Sequence, residues 1–469
     1  MDISSISQGI GSSATDAYIS NSLDLFSKPV IETGLKNGRN FYVRPVTMSD
    51  SGPYDFVIPA ESPNQYIQLE NTRLLGKVRI KKMNDTGIEP AATTQAAINA
   101  ETADQQVSLT NLFPHSLFRS VEFEVNGKLI NSLSSTHYPY KAMIETLTTY
   151  GSDVYDTKLK PYFYNPELTD SKATDIGTKY NLMTCPAARN LIKPAENLGL
   201  YSFYVPLHCD MMSSNRLTPP GCNIRIRLHR NPDNFSIWRQ KGSTIEYKIE
   251  IVDLQLKVRK IEVSDAVANN HYERSKKEVM VFPFSRSQPK TFSIPAGDTR
   301  INIQGMFKGT LPNFIHLTMV NTKAFNGHWD RSPFHMEHFG MTNISLTKNG
   351  QPVPSIMHAP DWSGGATEEY NQLYGYTFDN CGLRNDNASH IITPKMYKQN
   401  KFFVSWDLSP DQTMSANDGP LHEEGDVSFS AQIEQHHESI TVVVQGYYDS
   451  MYYISGEPRE VIMEPLSMG

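Results

Sequence analysis

Cysteine is scarce in this 469-residue sequence, and the four present, Cys185, Cys209, Cys222 and Cys381, form no C-x-x-C pair and have no histidine at zinc-finger spacing. A disulfide-stapled scaffold and a zinc ribbon are thereby excluded, leaving four free thiols in a reducing compartment. Long apolar runs are missing too: no stretch of about eighteen apolar residues is there to cross a membrane as a helix. The start, Met1-Asp2-Ile3-Ser4-Ser5, has no basic residue leading into an apolar run. No secretion signal is therefore expected, and the sequons at Asn234, Asn343 and Asn387 read as chance.

Nor is there a surplus of positive charge. The net charge of -7 argues against a general nucleic-acid binder, whose affinity is built from Lys and Arg gathered on one face. The densest basic clusters, Arg259-Lys260 and Arg274-Ser275-Lys276-Lys277, read as a solvated strand end and a linker. The glycine-rich phosphate loops, the G-x-S-x-G elbow and the H-E-x-x-H zinc motif are all absent.

What the chain does have is alternation. With 39% hydrophobic and 20% charged residues it falls among ordinary globular proteins, and its length suggests two or three domains, two being tested first. Ile224, Ile226 and Leu228 alternate with Arg225, Arg227 and His229, as in a strand with one buried face. Val121, Phe123 and Val125 run into Asn126-Gly127, whose ease with positive φ predicts a tight hairpin back through Leu129 and Ile130. Along Tyr247–Val263 the apolar phase slips by one residue, which predicts a bulge near Val252-Asp253. One helix stands out: Tyr140, Met143, Ile144 and Leu147 form a stripe, with Pro139 at its start and Gly151 at its stop, and it should pack on a sheet edge or end.

These features recur in order. Phe56-Val57-Ile58-Pro59-Ala60 returns as Phe292-Ser293-Ile294-Pro295-Ala296, and Val121, Phe123 and Asn126-Gly127 return as Ile344, Leu346 and Asn349-Gly350. Glu145 and Tyr150-Gly151 return as Glu369 and Tyr374-Gly375, and the Phe203–Leu207 strand as Phe403–Leu408. Each copy closes on two β-rich strands, 224–228 and 247–258 in the first, 427–433 and 440–448 in the second. Landmarks in one order at slowly drifting offsets point to a duplicated domain. The expected fold class is all-β: two tandem eight-stranded jelly-roll β-sandwiches, one short helix in each, with long surface loops at 84–106, 152–197, 379–400 and 409–425. The expected boundaries are an N-terminal arm over 1–26, a first jelly roll over 27–263, a linker over 264–276, a second jelly roll over 277–455 and a C-terminal tail over 456–469.

Candidate chemistry is thin. His328-Trp329-Asp330, His335 and Glu337-His338 are the right residue types for zinc or iron, but a Pro- and Gly-punctuated loop more often uses them in packing. His436-His437 on a predicted strand would point to opposite faces and fail to chelate one ion. His422-Glu423-Glu424 with Asp426 reads as a solvated charge run before a calcium loop. Close carboxylate pairs are inevitable among 50 acidic residues and carry no signal. Tyr447, Tyr448, Tyr452 and Tyr453 fit sandwich or seam packing better than a sugar platform. No catalytic, cofactor-binding or metal residue is therefore expected, and no cofactor.

Several segments nevertheless resemble a known family. Ser22-Leu23-Asp24-Leu25-Phe26-Ser27-Lys28-Pro29, Arg44-Pro45-Val46, Leu112-Phe113-Pro114-His115-Ser116-Leu117-Phe118 running into Val121–Ile130, Tyr138-Pro139-Tyr140 leading into Glu145-Thr146-Leu147, and Pro219-Pro220-Gly221 carry the likeness. They are similar to double jelly-roll major capsid proteins, and within these to the ones encoded by Polinton (Maverick) elements and adintoviruses. The likeness covers most of the first copy, and the second follows through the repeat.

The resemblance implies a non-enzymatic virion protein, made in the host cytoplasm, assembled there or in the nucleus, and not secreted. It would form homotrimeric, pseudo-hexagonal capsomers (hexons) that tile an icosahedral shell, with both sandwiches perpendicular to it and loops forming an outer tower. Implied partners are neighbouring capsomers, a single jelly-roll penton protein, and minor or internal capsid proteins reached by the N-terminal arm, with no sequence-specific nucleic acid. Two other readings compete: a carbohydrate-binding or carbohydrate-active jelly-roll protein, which would usually be secreted, and a metal-dependent cupin-like enzyme, which needs clustered His and carboxylates.

Overall fold

The computed structural model describes residues 33–49, 51–59, 62–84, 87–90, 107–132, 137–155, 157–164, 200–239, 246–363, 370–381, 390–409, 423–456 and 459–463. The arm over 1–26, most of the 84–106, 152–197 and 409–425 loops, the end of the tail, Cys185, Asn387 and His422 lie outside the described residues. So does the family-like segment Ser22–Pro29.

In the first half of the chain the elements are β1 (Leu35–Val43), β2 (Tyr54–Ile58), β3 (Gln65–Asn84), β4 (Gly87–Pro90), β5 (Val107–Leu109), β6 (Phe118–Val125), β7 (Lys128–Ser132), helix α1 (Tyr138–Thr149), β8 (Leu200–Pro206), β9 (Ile224–Arg230), β10 (Ile237–Arg239) and β11 (Glu246–Val263). Helix α2 (Asp265–Ser275) then leads into β12 (Met280–Ile294), β13 (Arg300–Thr310), β14 (Phe314–Asn321), β15 (Thr342–Lys348), β16 (Gln351–His358), α3 (Tyr370–Asn380), β17 (Phe403–Asp407), β18 (Glu424–Gln432), β19 (Ile440–Ile454) and β20 (Val461–Met463).

Strand pairing makes the duplication explicit. One sheet of the first half runs β1-β11-β3 with β8 also on β3, and the facing sheet runs β2-β9-β6-β7; the second half repeats this as β12-β19-β14-β17 and β13-β18-β15-β16. All of these pairings are antiparallel, and two facing sheets with this interleaved order, β4 and β20 adding a fifth strand to the first of each pair, make a jelly roll. The fold is thus two jelly-roll sandwiches in tandem. Inward side chains such as Phe56, Phe123, Ile226 and Leu256 in the first, and Ile303, Leu346, Phe429 and Val444 in the second, are buried. Removing each from water contributes about 1.5–3 kcal/mol, so the two cores are the main source of stability.

Local chemistry explains much of the framework. The β6–β7 and β15–β16 hairpins turn through Asn126-Gly127 and Asn349-Gly350, all four with positive φ between 49° and 78°. Prolines that cannot donate to a ladder sit on sheet-edge strands, Pro283 and Pro289 in β12 and Pro352 and Pro354 in β16. The register of β11 against β3 shifts between Ile251 and Asp253, the bulge that the slipping apolar phase predicts.

Two expectations are corrected. Phe56–Ile58 lie in β2, whose topological counterpart is β13, whereas Phe292–Ile294 end β12; the matching Phe-x-Ile-Pro-Ala strings occupy different strands and are not a repeat landmark. Residues 264–276 hold the eleven-residue helix α2, begun at Ser264 and bearing Arg274–Glu278 and Lys276–Glu273 ion pairs. Within the segment read as a loop over 379–400, residues Pro394–Gln399 form a helical turn capped by Thr393, whose side chain accepts from the Met396 amide.

Candidate functional site

The chemically dense part of the molecule is the joint between the two sandwiches, and α1 builds it. The sequence presents this helix as amphipathic, yet Tyr138 through Ile144 are all buried. The reason is that it is wedged between the halves. Met143 and Leu147 join the hydrophobic core. Tyr140 stacks on Phe325 of the second half at 5.5 Å and donates to the Pro333 carbonyl at 2.9 Å.

Lys141, only 2% exposed, is the charged centre of this joint. It pairs with Asp210, lies 3.4 Å from Glu145 one turn on, and reaches Ser287 Oγ of β12 at 3.2 Å. Asp210 in turn accepts from the Ser287 amide at 2.7 Å and from its hydroxyl at 2.8 Å. Glu145 faces His208 Nδ1 at 2.6 Å and accepts from Tyr447 of β19 at 3.4 Å. Burial alone would raise Glu145 and lower Lys141, but the opposite charges prevail: Lys141 and His208 pull Glu145 down to about 2, and Asp210 and Glu145 hold Lys141 above its usual range. A buried, ion-paired cluster of this kind fixes geometry more than it adds net stability. Its chemistry is that of a clamp: both carboxylates are occupied by donors, with Asp210 buried and the Glu145 side chain 28% exposed.

The sequence-flagged histidines are used in packing. His335 contacts Glu337, and His338 stacks on Trp362 at 3.8 Å while its Nδ1 accepts from the Gly340 amide, burial pulling its pKa down to about 4. His328 Nδ1 accepts from the Asp330 amide instead. His436-His437 lie in the β18–β19 connection and not on a strand, because β18 ends at Gln432. Glu423 pairs with Lys348 at 2.6 Å. Among the described residues no group of three or more His, Cys, Asp or Glu is placed to hold a metal. Cys209, Cys222 and Cys381 are buried and unpaired.

Tyr452 stacks on Phe282 at 4.7 Å, so the C-terminal tyrosines serve the sandwich. Of the basic clusters, Lys260 lies over the Phe41 ring at 4.7 Å and is buried. Sequence reasoning missed the Lys141–Asp210–Ser287 joint altogether. A lysine inside an apolar helical stripe, flanked by Tyr140 and Ala142, was the available signal.

No family model matches the chain. An uncharacterized protein of Caenorhabditis elegans is 23% identical over 368 residues, 76% of this chain and 80% of that one. Among solved structures, a chain of the Sputnik virophage superposes with a TM-score of 0.59 at 11% identity, covering 97% of this chain and 94% of its own. The Faustovirus major capsid protein gives 0.54 at 10% identity over 96% and 94%, and the mavirus major capsid protein 0.52 at 10% over 98% and 97%. The chain has the double jelly-roll fold of these capsid proteins. Each superposition takes in both sandwiches.

Proposed function

We propose that this chain is a major capsid protein that trimerises into pseudo-hexagonal capsomers and tiles an icosahedral shell. The observation that carries the reading is a pair of sandwiches with one strand order, locked together through α1, in a double jelly roll matched end to end by viral major capsid proteins. Three such chains would present six similar sandwiches, a near-hexagonal tile able to meet six neighbours. A tile needs a fixed angle between its two sandwiches, and the buried Lys141–Asp210–Ser287 clamp supplies one.

In this reading residues 27–263 and 277–455 are the two tile-forming units and 264–276 joins them. The segment 1–26 reaches minor or internal capsid proteins, with 456–469 as a tail. The further partners are neighbouring capsomers and a single jelly-roll penton protein, and the protein resides in the virion with no reaction of its own. Polinton-like elements and adintoviruses are the proposed source of related chains.

The test is the mass of the purified protein by size-exclusion chromatography with light scattering, followed by negative-stain imaging of the same peak. Three chains per particle with a hexagonal outline are expected. A stable monomer that is stabilised by sugars would overturn the proposal in favour of a carbohydrate-binding jelly roll.

A further inference from the structure

Lys141 and Asp210 bring an amino group and a carboxyl group into direct contact inside the joint, their side chains 3% and 1% exposed. Other lysine–carboxylate pairs are wetter: Lys81–Glu250 and Lys348–Glu423, for instance, leave a fifth or more of each side chain open to solvent. In water such a pair is two hydrated ions and nothing drives them to condense. In a dry site both have lost their hydration, and joining them as a neutral amide removes two buried charges and releases one water. Contact between the reacting groups also substitutes for concentration, with effective molarities on the order of 10⁵ M or more in well-oriented pairs.

The neighbours of the pair are those that a condensation needs. Lys141 Nζ donates to Ser287 Oγ at 3.2 Å, and Ser287 Oγ donates to Asp210 Oδ1 at 2.8 Å, a relay that carries a proton from the ammonium to the carboxylate. The amine is then neutral, and Oδ1 is the hydroxyl of a carboxylic acid, the oxygen that leaves. Ser287 also donates its backbone N–H to Asp210 Oδ2 at 2.7 Å, a fixed donor at the oxygen where negative charge develops as the nitrogen adds to Cγ. Glu145 Oε1 lies 3.4 Å from Nζ, near enough to serve as the base for the second proton on nitrogen. The ion pair is the state before reaction, and the Ser287 relay draws the neutral pair from it without exchange with solvent.

We propose that Lys141 and Asp210 become joined in the folded chain by an isopeptide bond from Nζ to Cγ, formed once and turning over no other substrate. The Nζ–Cγ bond forms and the Cγ–Oδ1 bond breaks. Of the three ammonium protons, two leave with Oδ1 as water, one by way of Ser287 and one by way of Glu145, and the third stays on the amide nitrogen. The step is redox-neutral and needs no co-reactant. In the product Oδ2 keeps the Ser287 amide as its donor, and Glu145 stands beside the new amide N–H as its acceptor. The bond ties α1 to the turn Asp210–Ser213, which packs on β12, and so makes the clamp covalent. It is independent of the capsid reading and stands or falls apart from it.

The experiment is mass spectrometry of the denatured full-length chain, followed by tryptic digestion and tandem spectra. Asp210→Ala cannot condense and supplies the reference mass, folded or not. Expected for the parent chain are a mass one water below that of its sequence, no cleavage after Lys141, and one branched species joining the peptides that contain Lys141 and Asp210. The full sequence mass would overturn the proposal, and so would a one-water deficit confined to a linear peptide, as a cyclised aspartate gives. Glu145→Gln reads the mechanism. With the base gone the condensation should slow roughly a hundredfold, so freshly made chain with an intact urea transition should run at its full sequence mass. A folded Glu145→Gln chain cross-linked as completely and as early as the parent would overturn the part assigned to Glu145.

Discussion

Strands β11 and β19 hold the same place in the two sandwiches, each paired with an edge strand on one side and a central strand on the other, yet they are composed differently. β11 alternates: Tyr247, Ile249 and Ile251 are buried, while Lys248 and Glu250 lie on a face where Lys81 pairs with Glu250 at 2.8 Å and Val252 is 44% exposed. β19 does not alternate over its first seven residues, Ile440 through Gly446, which are all buried, and alternates only from Tyr447 on. Its outer face is covered by other parts of the molecule, Tyr447 meeting Glu145 of α1 and Thr441 meeting Thr322 at 2.9 Å. The neighbouring β14 and β17 are likewise buried along nearly their whole length, with α3 and the 390–402 segment packed outside them. Duplication therefore gave two equal topologies, but among the described residues it is the second whose β14, β17 and first half of β19 are buried on both faces. A strand covered on both faces reads as a continuous apolar run and a half-covered one as an alternation, which is the contrast these two sequences display.

The sharpest way to break this comparison is to place one carboxylate on the outer face of each strand. Val443→Asp in β19 puts an unpartnered charge in a site 2% exposed and should destabilise the protein by about 5 kcal/mol. Val252→Asp in β11 should cost about 0.5 kcal/mol or less, as at an ordinary surface site. Urea unfolding of both variants decides it, and similar midpoints would mean that the outer face of β19 is not covered as described.

Next in size is the clamp. Asp210→Ala leaves the buried Lys141 ammonium with Glu145 alone and the Ser287 amide without its acceptor, and should cost about 3 kcal/mol. Adding Lys141→Met should recover much of that loss, since an apolar pair suits the site. If the double variant is no more stable than Asp210→Ala, the cost came from packing and not from the uncompensated charge.

The contrast between halves also governs what could be read from the sequence. Strands of the first half announced themselves because one face is wet: Ile224, Ile226 and Leu228 against Arg225, Arg227 and His229 leave no doubt about period or face. Asn126-Gly127 and Asn349-Gly350 were equally plain, since their signal is local backbone chemistry. Three things stayed hidden. The covering of β14, β17 and β19 depends on contacts between residues hundreds of positions apart, such as Tyr447 with Glu145. Helix α2 has a weak apolar stripe, and its solvent-facing ion pairs look like a charged linker. The Phe-x-Ile-Pro-Ala coincidence misled because a short strand ending can recur in any β protein without marking the same strand. As for the joint, a lone lysine in an apolar stripe becomes informative only once Asp210 and Ser287 are found beside it.

Acid should separate the halves further. Burial lowers the pKa of His316, His338, His358 and His390 in the second half, and in the first half that of His115. A histidine held neutral by the fold contributes stability that is intact above its unfolded value near 6.5 and is lost as pH falls below it. For His316, 4% exposed and pulled to about 3, the loss between pH 6.5 and pH 5 is about 2 kcal/mol. Glu145, depressed to about 2, adds its own loss only below about pH 4.5. Thermal melting at pH 7 and pH 5 should therefore show a smaller drop for His316→Gln than for the parent chain; equal drops would remove His316 from the account.

The smallest expected effect concerns the outer face of the other sheet, where the halves differ again. In the first, Arg225 pairs with Asp55 through its Nε at 2.7 Å and Arg227 with Glu122 at 2.6 Å, while His229 Nε2 lies 2.9 Å from Glu122. The corresponding face of the second half carries Ser345, Thr347, Ser428 and Ser430, paired across β15 and β18 without charge. Arg225 is 43% exposed, so solvent screens its attraction to Asp55 and the pair is weak. Arg225→Gln should lower the urea midpoint slightly at low salt and by less at 0.5 M salt, where the screening length is a few ångströms. Ser430→Ala in the second half should show no salt dependence. If both variants responded alike to salt, the charge ladder would not be what distinguishes the two faces, and its place on the first sandwich would be a matter of packing alone.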